Sequence, residues 1–259
     1  MNEALASLAA ISTQTLLAGF IVFLRVSAAM ALLPAFGETV IPARVRLGAA
    51  LAFTLVVLPA VKADIAPLHS TGTLPGLVFA TEVLAGLALG AVLRFMVLAL
   101  QIAGTIAAQA SSLSQLFGGG AGEPQPAIGH LLTWGGLALA VLLGLHIRCA
   151  EALIGSYVAL PAGQFPDAES IRRWGVAGVA HGFSLAFTLA APFVLAGLVY
   201  NVALGAINRA MPQLMVAFVG APALTVGGLL LLLLSVPAGL ALWHQDLALM
   251  LANPFEIAR

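Results

Sequence analysis

Six charged side chains stand within or at the edges of otherwise apolar stretches of this 259-residue chain: Arg25, Glu82, Arg94, Arg148, Glu151 and Arg209. The chemistry open to them is ion pairing and hydrogen bonding. A lone charge at a lipid-exposed helix centre costs roughly 2.5 to 3.5 kcal/mol, so each is expected to face protein or water. Arg148 and Glu151 are three residues apart and can share one helix face. Glu82, Gly86, Gly90 and Arg94 step by four along one slowly rotating ridge. Small residues on such a ridge allow close helix approach, leaving the charged ends available to neighbouring chains. Chance is the alternative, because the chain carries 27 glycines. The densest polar interruption is Asn208-Arg209-Ala210-Met211-Pro212-Gln213-Leu214, which leads through Val219-Gly220-Ala221-Pro222 into another apolar run. An arginine, two side-chain amides and two prolines there point to an assembly part, a pore or a transporter more than to a soluble enzyme.

The residue types that enzymes use are present without the spacing they need. His69, His130, His146, His181 and His244 lie far apart, with no metal-ligand spacing and no His-Glu-x-x-His pair. The only lysine is Lys62, so no phosphate-binding loop ends in Lys-Ser or Lys-Thr. Gly118-Gly119-Gly120 has the form of an oxyanion-hole loop, but no Gly-x-Ser-x-Gly nucleophile elbow accompanies it. The expectation is therefore a non-enzyme with no cofactor and no metal. Cys149 is the single cysteine and reads as a small packing residue, which rules out an intrachain disulfide framework.

Composition fixes the solvent. The chain is 61% hydrophobic and 8% charged, with a mean hydropathy of +1.09, and no ordinary water-soluble domain has that profile. It reads as an integral membrane protein. Ten basic and ten acidic residues cancel and no basic block occurs, so neither nucleic acid nor an anionic lipid surface is implied as an electrostatic partner. Nine of the ten basic residues are arginine. That skew fits charges paired within protein, through a planar fork of donors, as well as it fits a GC-rich genome. Met1-Asn2-Glu3 lacks the positive region of a cleavable signal, so the first apolar segment is expected to stay in the mature chain.

The elements that must position these charges are six apolar stretches, at residues 5–33, 45–61, 74–113, 128–160, 176–207 and 223–251. The fold class is an all-α membrane protein of about six long, partly kinked hydrophobic helices. The third stretch would reach about 60 Å as one helix, against a bilayer core of about 30 Å. It is therefore kinked, hairpinned, or extends beyond the bilayer. Gly76, Gly86, Gly90 and Gly104 are the candidate weak points, and Pro192 is the candidate in the fifth stretch. If the six segments alternate across a membrane, Lys62, Arg172, Arg173 and Arg259 fall on one side and Arg44, Arg46 and Arg209 on the other. That balance yields no orientation. Either partners set it, or the helices do not cross the bilayer as ordinary spans.

Residues 111–126 join the third and fourth stretches, and their glycines and prolines forbid regular structure. Leu116 and Phe117 form a bulky apolar pair ahead of Gly118, Gly119 and Gly120, which an exposed loop seldom needs. In a membrane protein, irregular backbone at depth is tolerated where it is buried in protein or lines a cavity. A mobile surface loop is the other reading.

The order of these features resembles the FliR family of the bacterial flagellar export gate, whose virulence counterparts are the SctT-type proteins of type III secretion. The resemblance covers essentially the whole chain. It is carried by Arg25-Val26-Ser27 with Pro34-Ala35-Phe36-Gly37, by Ile41-Pro42-Ala43-Arg44-Val45-Arg46 and by Gly144-Leu145-His146. Ser156-Tyr157-Val158-Ala159-Leu160-Pro161-Ala162-Gly163 and the segment opening at Asn208 complete it. Phe218-Val219-Gly220-Ala221-Pro222 looks more flagellar than virulence-associated. Residues 111–126 depart from the family's commoner form, which often carries a Gly-Phe and an Asp-Pro there.

The resemblance implies a non-enzymatic part of a protein-conducting channel in the bacterial inner membrane, within the flagellar basal body. Its implied partners are FliP, FliQ and FlhB, unfolded exported flagellar proteins in transit, and membrane lipid. It implies one FliR-type domain over residues 1–259, with a FliP-like part to about 170 and a FliQ-like helical hairpin over about 171–259. The loop after the third stretch would project into the closed pore as a plug. On this chain that places gating at Gln109, Leu116, Phe117, Gly118, Gly119 and Gly120. Subunit contacts would fall to Arg25, Arg44, Arg46, Glu82, Arg94, Arg148, Glu151, Arg209 and Gln213. A secondary transporter is the alternative, since it also carries intramembrane charges and Pro- or Gly-broken helices.

Overall fold

A computed structural model describes the backbone of residues 2–65, 75–110, 127–211 and 216–256, and side chains at 14–65, 76–110, 127–211 and 223–256. Seven helices and no strand occur among the described residues: α1 (Asn2–Met30), α2 (Ala43–Ile65), α3 (Pro75–Ala110), α4 (Ala127–Leu142), α5 (Leu145–Ala159), α6 (Ala168–Ala210) and α7 (Val216–Ala252). Four of them are long and apolar enough to cross a membrane, and α4 with α5, bent by 78°, add a fifth if the pair is one span. The chain is an all-α integral membrane protein.

The six apolar stretches all become helical, and the third is one unbroken helix of 36 residues. Of the three readings open for it, the hairpin is excluded. At 1.5 Å per residue α3 is about 54 Å long, so even a 40° tilt leaves it longer than a hydrocarbon core of about 30 Å. The candidate weak points do not break it. Gly86 and Gly90 instead let α1 approach. A β-carbon on Gly86 would collide with the Arg25 carbonyl oxygen, and one on Gly90 would lie 2.8 Å from that of Ala29. The ridge of small residues is thus a contact within the chain. α6 likewise runs through Pro192 as a single helix of 43 residues.

The one break falls elsewhere. The fourth stretch divides between Leu142 and Leu145, where Gly144 takes φ +87° and opens α5. Only glycine adopts that left-handed conformation without a β-carbon penalty. The Gly144 carbonyl then accepts the first hydrogen bonds of α5, from the Ile147 and Arg148 amides.

Two compact units emerge from the packing. The first comprises Met1–Phe95, Leu143–Gly178 and Leu247–Arg259, and the second Met96–Leu142 and Val179–Asp246. In the first, α2 buries Ala50, Thr54, Val57, Val61 and Ile65, a three-to-four spacing that lays one helical stripe inward. In the same unit Trp174 stacks on Phe255 at 5.6 Å and donates its indole N–H to the Pro254 carbonyl, fixing the end of α7 beside the start of α6. The second unit centres on Trp243, which is fully buried and donates its indole N–H to the Met96 carbonyl at 2.8 Å. α3 and α4 cross there at Gly104 and Gly129, with no side chain between the two backbones. His181 lies 2.6 Å from Asp246, and Leu189 packs near Gly239, so α6 and α7 run antiparallel as a hairpin.

Candidate functional site

The first unit holds a polar cluster sealed from solvent. Its centre is Arg25, 1% exposed in the C-terminal part of α1, facing Glu82 of α3, which is 0% exposed. The guanidinium donates from Nε to Glu82 Oε2 at 2.8 Å and from Nη2 to Glu82 Oε1 at 2.9 Å. This forked geometry is the strong form of the pair, because two parallel charge-assisted bonds fix both planes. α5 completes the cluster. Arg25 Nη1 donates to the Ser156 hydroxyl at 3.1 Å and Nη2 to the Leu160 carbonyl at 2.9 Å, while its carbon centre lies 3.7 Å above the Tyr157 ring.

The local sequence explains how α5 presents these groups. Ser156 donates its own hydroxyl proton back to the Leu153 carbonyl, which turns the oxygen's lone pair toward Arg25. Leu160 leaves the helical conformation at the C-cap, and Pro161 cannot continue the ladder. The Leu160 carbonyl, one of those a helix end leaves without an intrahelical donor, is thereby freed for the guanidinium. Three helices are tied through one side chain. A buried ion pair persists only when such additional hydrogen bonds offset its desolvation.

A second polar group ties down the connection after α1. Arg94 pairs with Glu38, and Arg46 donates to the Phe36 carbonyl at 3.1 Å and the Glu38 carbonyl at 3.0 Å. These bonds hold Ala35 at φ +65°, an uncommon conformation for a residue with a β-carbon. Phe36 meets Phe53 of α2 edge to face at 5.5 Å.

The charges named from sequence therefore separate into three groups. Arg25 and Glu82 were expected at subunit contacts; the structure places them inside the chain, and side chains this buried have no surface left for another subunit. Arg46 and Arg94 are half-buried and bonded within the chain. Arg44, Arg148, Glu151 and Arg209 are exposed, with Arg148 and Glu151 paired to each other at 3.2 Å. Gln109 is exposed in the last turn of α3. Leu116, Phe117, Gly118, Gly119, Gly120 and Gln213 lie outside the described residues.

Sequence reasoning missed Glu38 as the partner of Arg94 and gave Ser156, Tyr157 and Leu160 no role. Its signal was indirect, because Arg25 and the segment opening at Ser156 are both among the stretches that carry the resemblance. Those separated stretches meet at one guanidinium.

Residues 16–250 match the family model described as bacterial export proteins, family 1. The chain is 36% identical over 229 residues to the flagellar biosynthetic protein FliR of Caulobacter vibrioides, covering 87% of this chain and 90% of that protein. It is 31% identical to FliR of Aquifex aeolicus over 79% of each chain. It is 30% identical to FliR of Escherichia coli, over 79% of this chain and 78% of that one. With nearly its whole length matched, the chain belongs to the FliR family of bacterial export proteins.

Proposed function

We propose that this chain is a core subunit of the flagellar type III protein export gate. With FliP and FliQ it forms the channel through which unfolded flagellar proteins cross the bacterial inner membrane, and FlhB sits at the channel entrance. The observation that carries this reading is the α6–α7 hairpin. Its candidate spans are only 33% and 6% buried within the chain, yet its helices have 43 and 37 residues. At about 65 and 56 Å they outrun the hydrocarbon core, so lipid alone does not cover their apolar surface. Neighbouring subunits supply the rest. A FliP-like part to about residue 170 and a FliQ-like hairpin beyond it fit that arrangement.

Arg44, Arg148, Glu151 and Arg209 are exposed charges and serve as subunit contacts, with Gln213, close to Arg209 in sequence, a further one. Residues 111–126 supply the plug. Gln109 marks its start, Leu116 and Phe117 close the pore, and Gly118, Gly119 and Gly120 let the backbone bend. An apolar, compliant plug suits a channel that must pass unfolded chains without strong contacts and still hold back ions. A secondary transporter would instead aim its buried charges at a midplane cavity. The sealing of Arg25 against Glu82 counts against that alternative.

Coexpression with FliP and FliQ tests the assignment. The chain is expected to accumulate as a stable complex with both and to be unstable without them; a well-behaved chain that never copurifies with either would sink it. Deleting residues 114–122 should raise ion leakage through an assembled gate, and unchanged leakage would remove the plug.

A further inference from the structure

The second unit contains an apolar cavity of about 200 Å³ between α6 and α7, reaching the last residue of α3. Phe193, Tyr200, Leu224 and Leu231 contribute its side-chain walls, and the rest of the lining is alanine and glycine. It carries no charged residue and opens to the exterior. The glycines differ in what they do. Gly197 is required by packing, because a β-carbon there would sit 2.8 Å from the Ala110 carbonyl oxygen. On the facing helix, a β-carbon on Gly227 would meet nothing within 4 Å. Among the described residues, nothing fills the space at Gly227, which would admit a larger side chain.

We infer that this cavity binds a hydrocarbon segment of a membrane-lipid acyl chain. A dry apolar cavity of about 150 Å³ is already enough to bind benzene, so this volume takes several methylenes. Water is a poor occupant, because the lining offers too few polar partners. An empty cavity would forfeit the dispersion contacts of every wall atom. The same two helices also present an apolar face to hydrocarbon. Leu198, Val199 and Leu230, each next in sequence to or near a wall residue, are 60%, 69% and 56% exposed on two helices with the length and hydropathy of membrane spans. The cavity is a recess in that apolar surface. The inference rests on the export reading in one respect: it assigns this recess of the α6–α7 hairpin to the part of the surface that lipid covers, not to the part that neighbouring subunits cover.

The full chain, copurified with FliP and FliQ and placed in nanodiscs of phosphatidylethanolamine and phosphatidylglycerol doped with a phospholipid carrying a diazirine near the acyl terminus, provides the test. Illumination and mass spectrometry should place label on Phe193, Tyr200 or Leu231. In Gly227→Leu that label should fall about tenfold, the loss expected when at least two methylenes are displaced. Label at Leu234, an exposed position of α7, should persist. Gly205→Leu, another open glycine but outside the cavity, should leave both unchanged. Undiminished cavity labelling in Gly227→Leu would mean ordinary surface contact and overturn the proposal. So would labelling at Leu234 with none in the cavity, which would assign the space to a protein segment.

Discussion

Arg25 and Glu82, 57 residues apart in sequence, meet through two parallel hydrogen bonds of 2.8 and 2.9 Å, and neither side chain reaches solvent. The pair is worth more as a constraint than as net energy. Removing one partner strands a buried charge, while removing both leaves an apolar core. Arg25→Ala and Glu82→Ala should therefore each cost about 3 to 5 kcal/mol. Arg25→Met with Glu82→Leu should recover most of that loss, and Arg25→Lys should not, because an ammonium cannot reproduce the fork. Thermal unfolding of the purified complex in detergent measures all four. Single variants as stable as the parent would show that the pair holds nothing.

The close approach of α1 to α3 makes a glycine-specific prediction. Gly86→Ala places a β-carbon against the Arg25 carbonyl oxygen, so the helices must separate, at a typical overpacking cost of about 1 to 3 kcal/mol. Gly155, exposed within α5 with nothing within 4 Å of its β-carbon position, should respond in the opposite sense. Gly155→Ala should stabilise by roughly 0.5 to 1 kcal/mol through the lower entropy of alanine. Melting temperatures that shift in the same direction would contradict the packing described.

How much of this was legible beforehand depends on the range of the interaction. Hydrophobic runs located every helix, because apolar content is local. The break at Gly144 was hidden, since glycine inside an apolar run looks the same whether it bends a helix or admits a neighbour. Gly86 and Gly90 carried two readings, weak point and close-approach ridge; they are contact points, against α1 of the same chain. Arg25 and Glu82 were visible as misplaced charges, but nothing local says that they choose each other over another subunit. Arg94 found Glu38, and Arg148 found Glu151, by rules that differ only in distance along the chain. Spacing of three revealed the second pair, and no spacing could reveal the first.

Trp243 offers a test of the second unit. Its indole N–H reaches the Met96 carbonyl 147 residues away, and a β-carbon added to Gly136 would lie 3.4 Å from its ring. Trp243→Phe should cost about 0.5 to 1.5 kcal/mol for the hydrogen bond, and Trp243→Ala about 3 to 5 kcal/mol for the emptied core. Equal losses from the two variants would mean that the ring volume is not what fills this core.

The start of α6 should be pH-sensitive. Asp167 accepts hydrogen bonds from the Ser170 amide at 2.9 Å and the Ser170 hydroxyl at 3.0 Å, which hold its carboxyl below the usual carboxylate range. A group whose folded affinity for protons is depressed stabilises the fold above its unfolded pKa of about 3.9 and loses that contribution as pH falls through the folded value. The first turn of α6 should thus fray on acidification below about pH 4. Asp167→Asn keeps an acceptor for the N-cap and should flatten this dependence, whereas Asp167→Ala should fray the turn even at neutral pH. Amide-exchange protection at Ser170, corrected for intrinsic rates, distinguishes the three; a wild-type turn indifferent to pH would refute the cap.

Arg209 sits in the last turn of α6, exposed and without an ion-pair partner among the described residues. Its charge opposes the negative end of the helix dipole, which alone would account for an arginine there. The two roles predict different things. If Arg209 serves only the dipole, Arg209→Lys and Arg209→Gln should differ slightly in helix stability and leave assembly untouched. If it bridges to a neighbouring subunit, Arg209→Ala should lower the yield of complex copurified with FliP and FliQ while the chain's own helices stay folded. Charge reversal by Arg209→Glu should lower it further, because a like charge would then face the partner's carboxylate. Rescue by a compensating basic residue on that partner would identify the contact. Full complex at native yield from both variants would return Arg209 to the dipole alone.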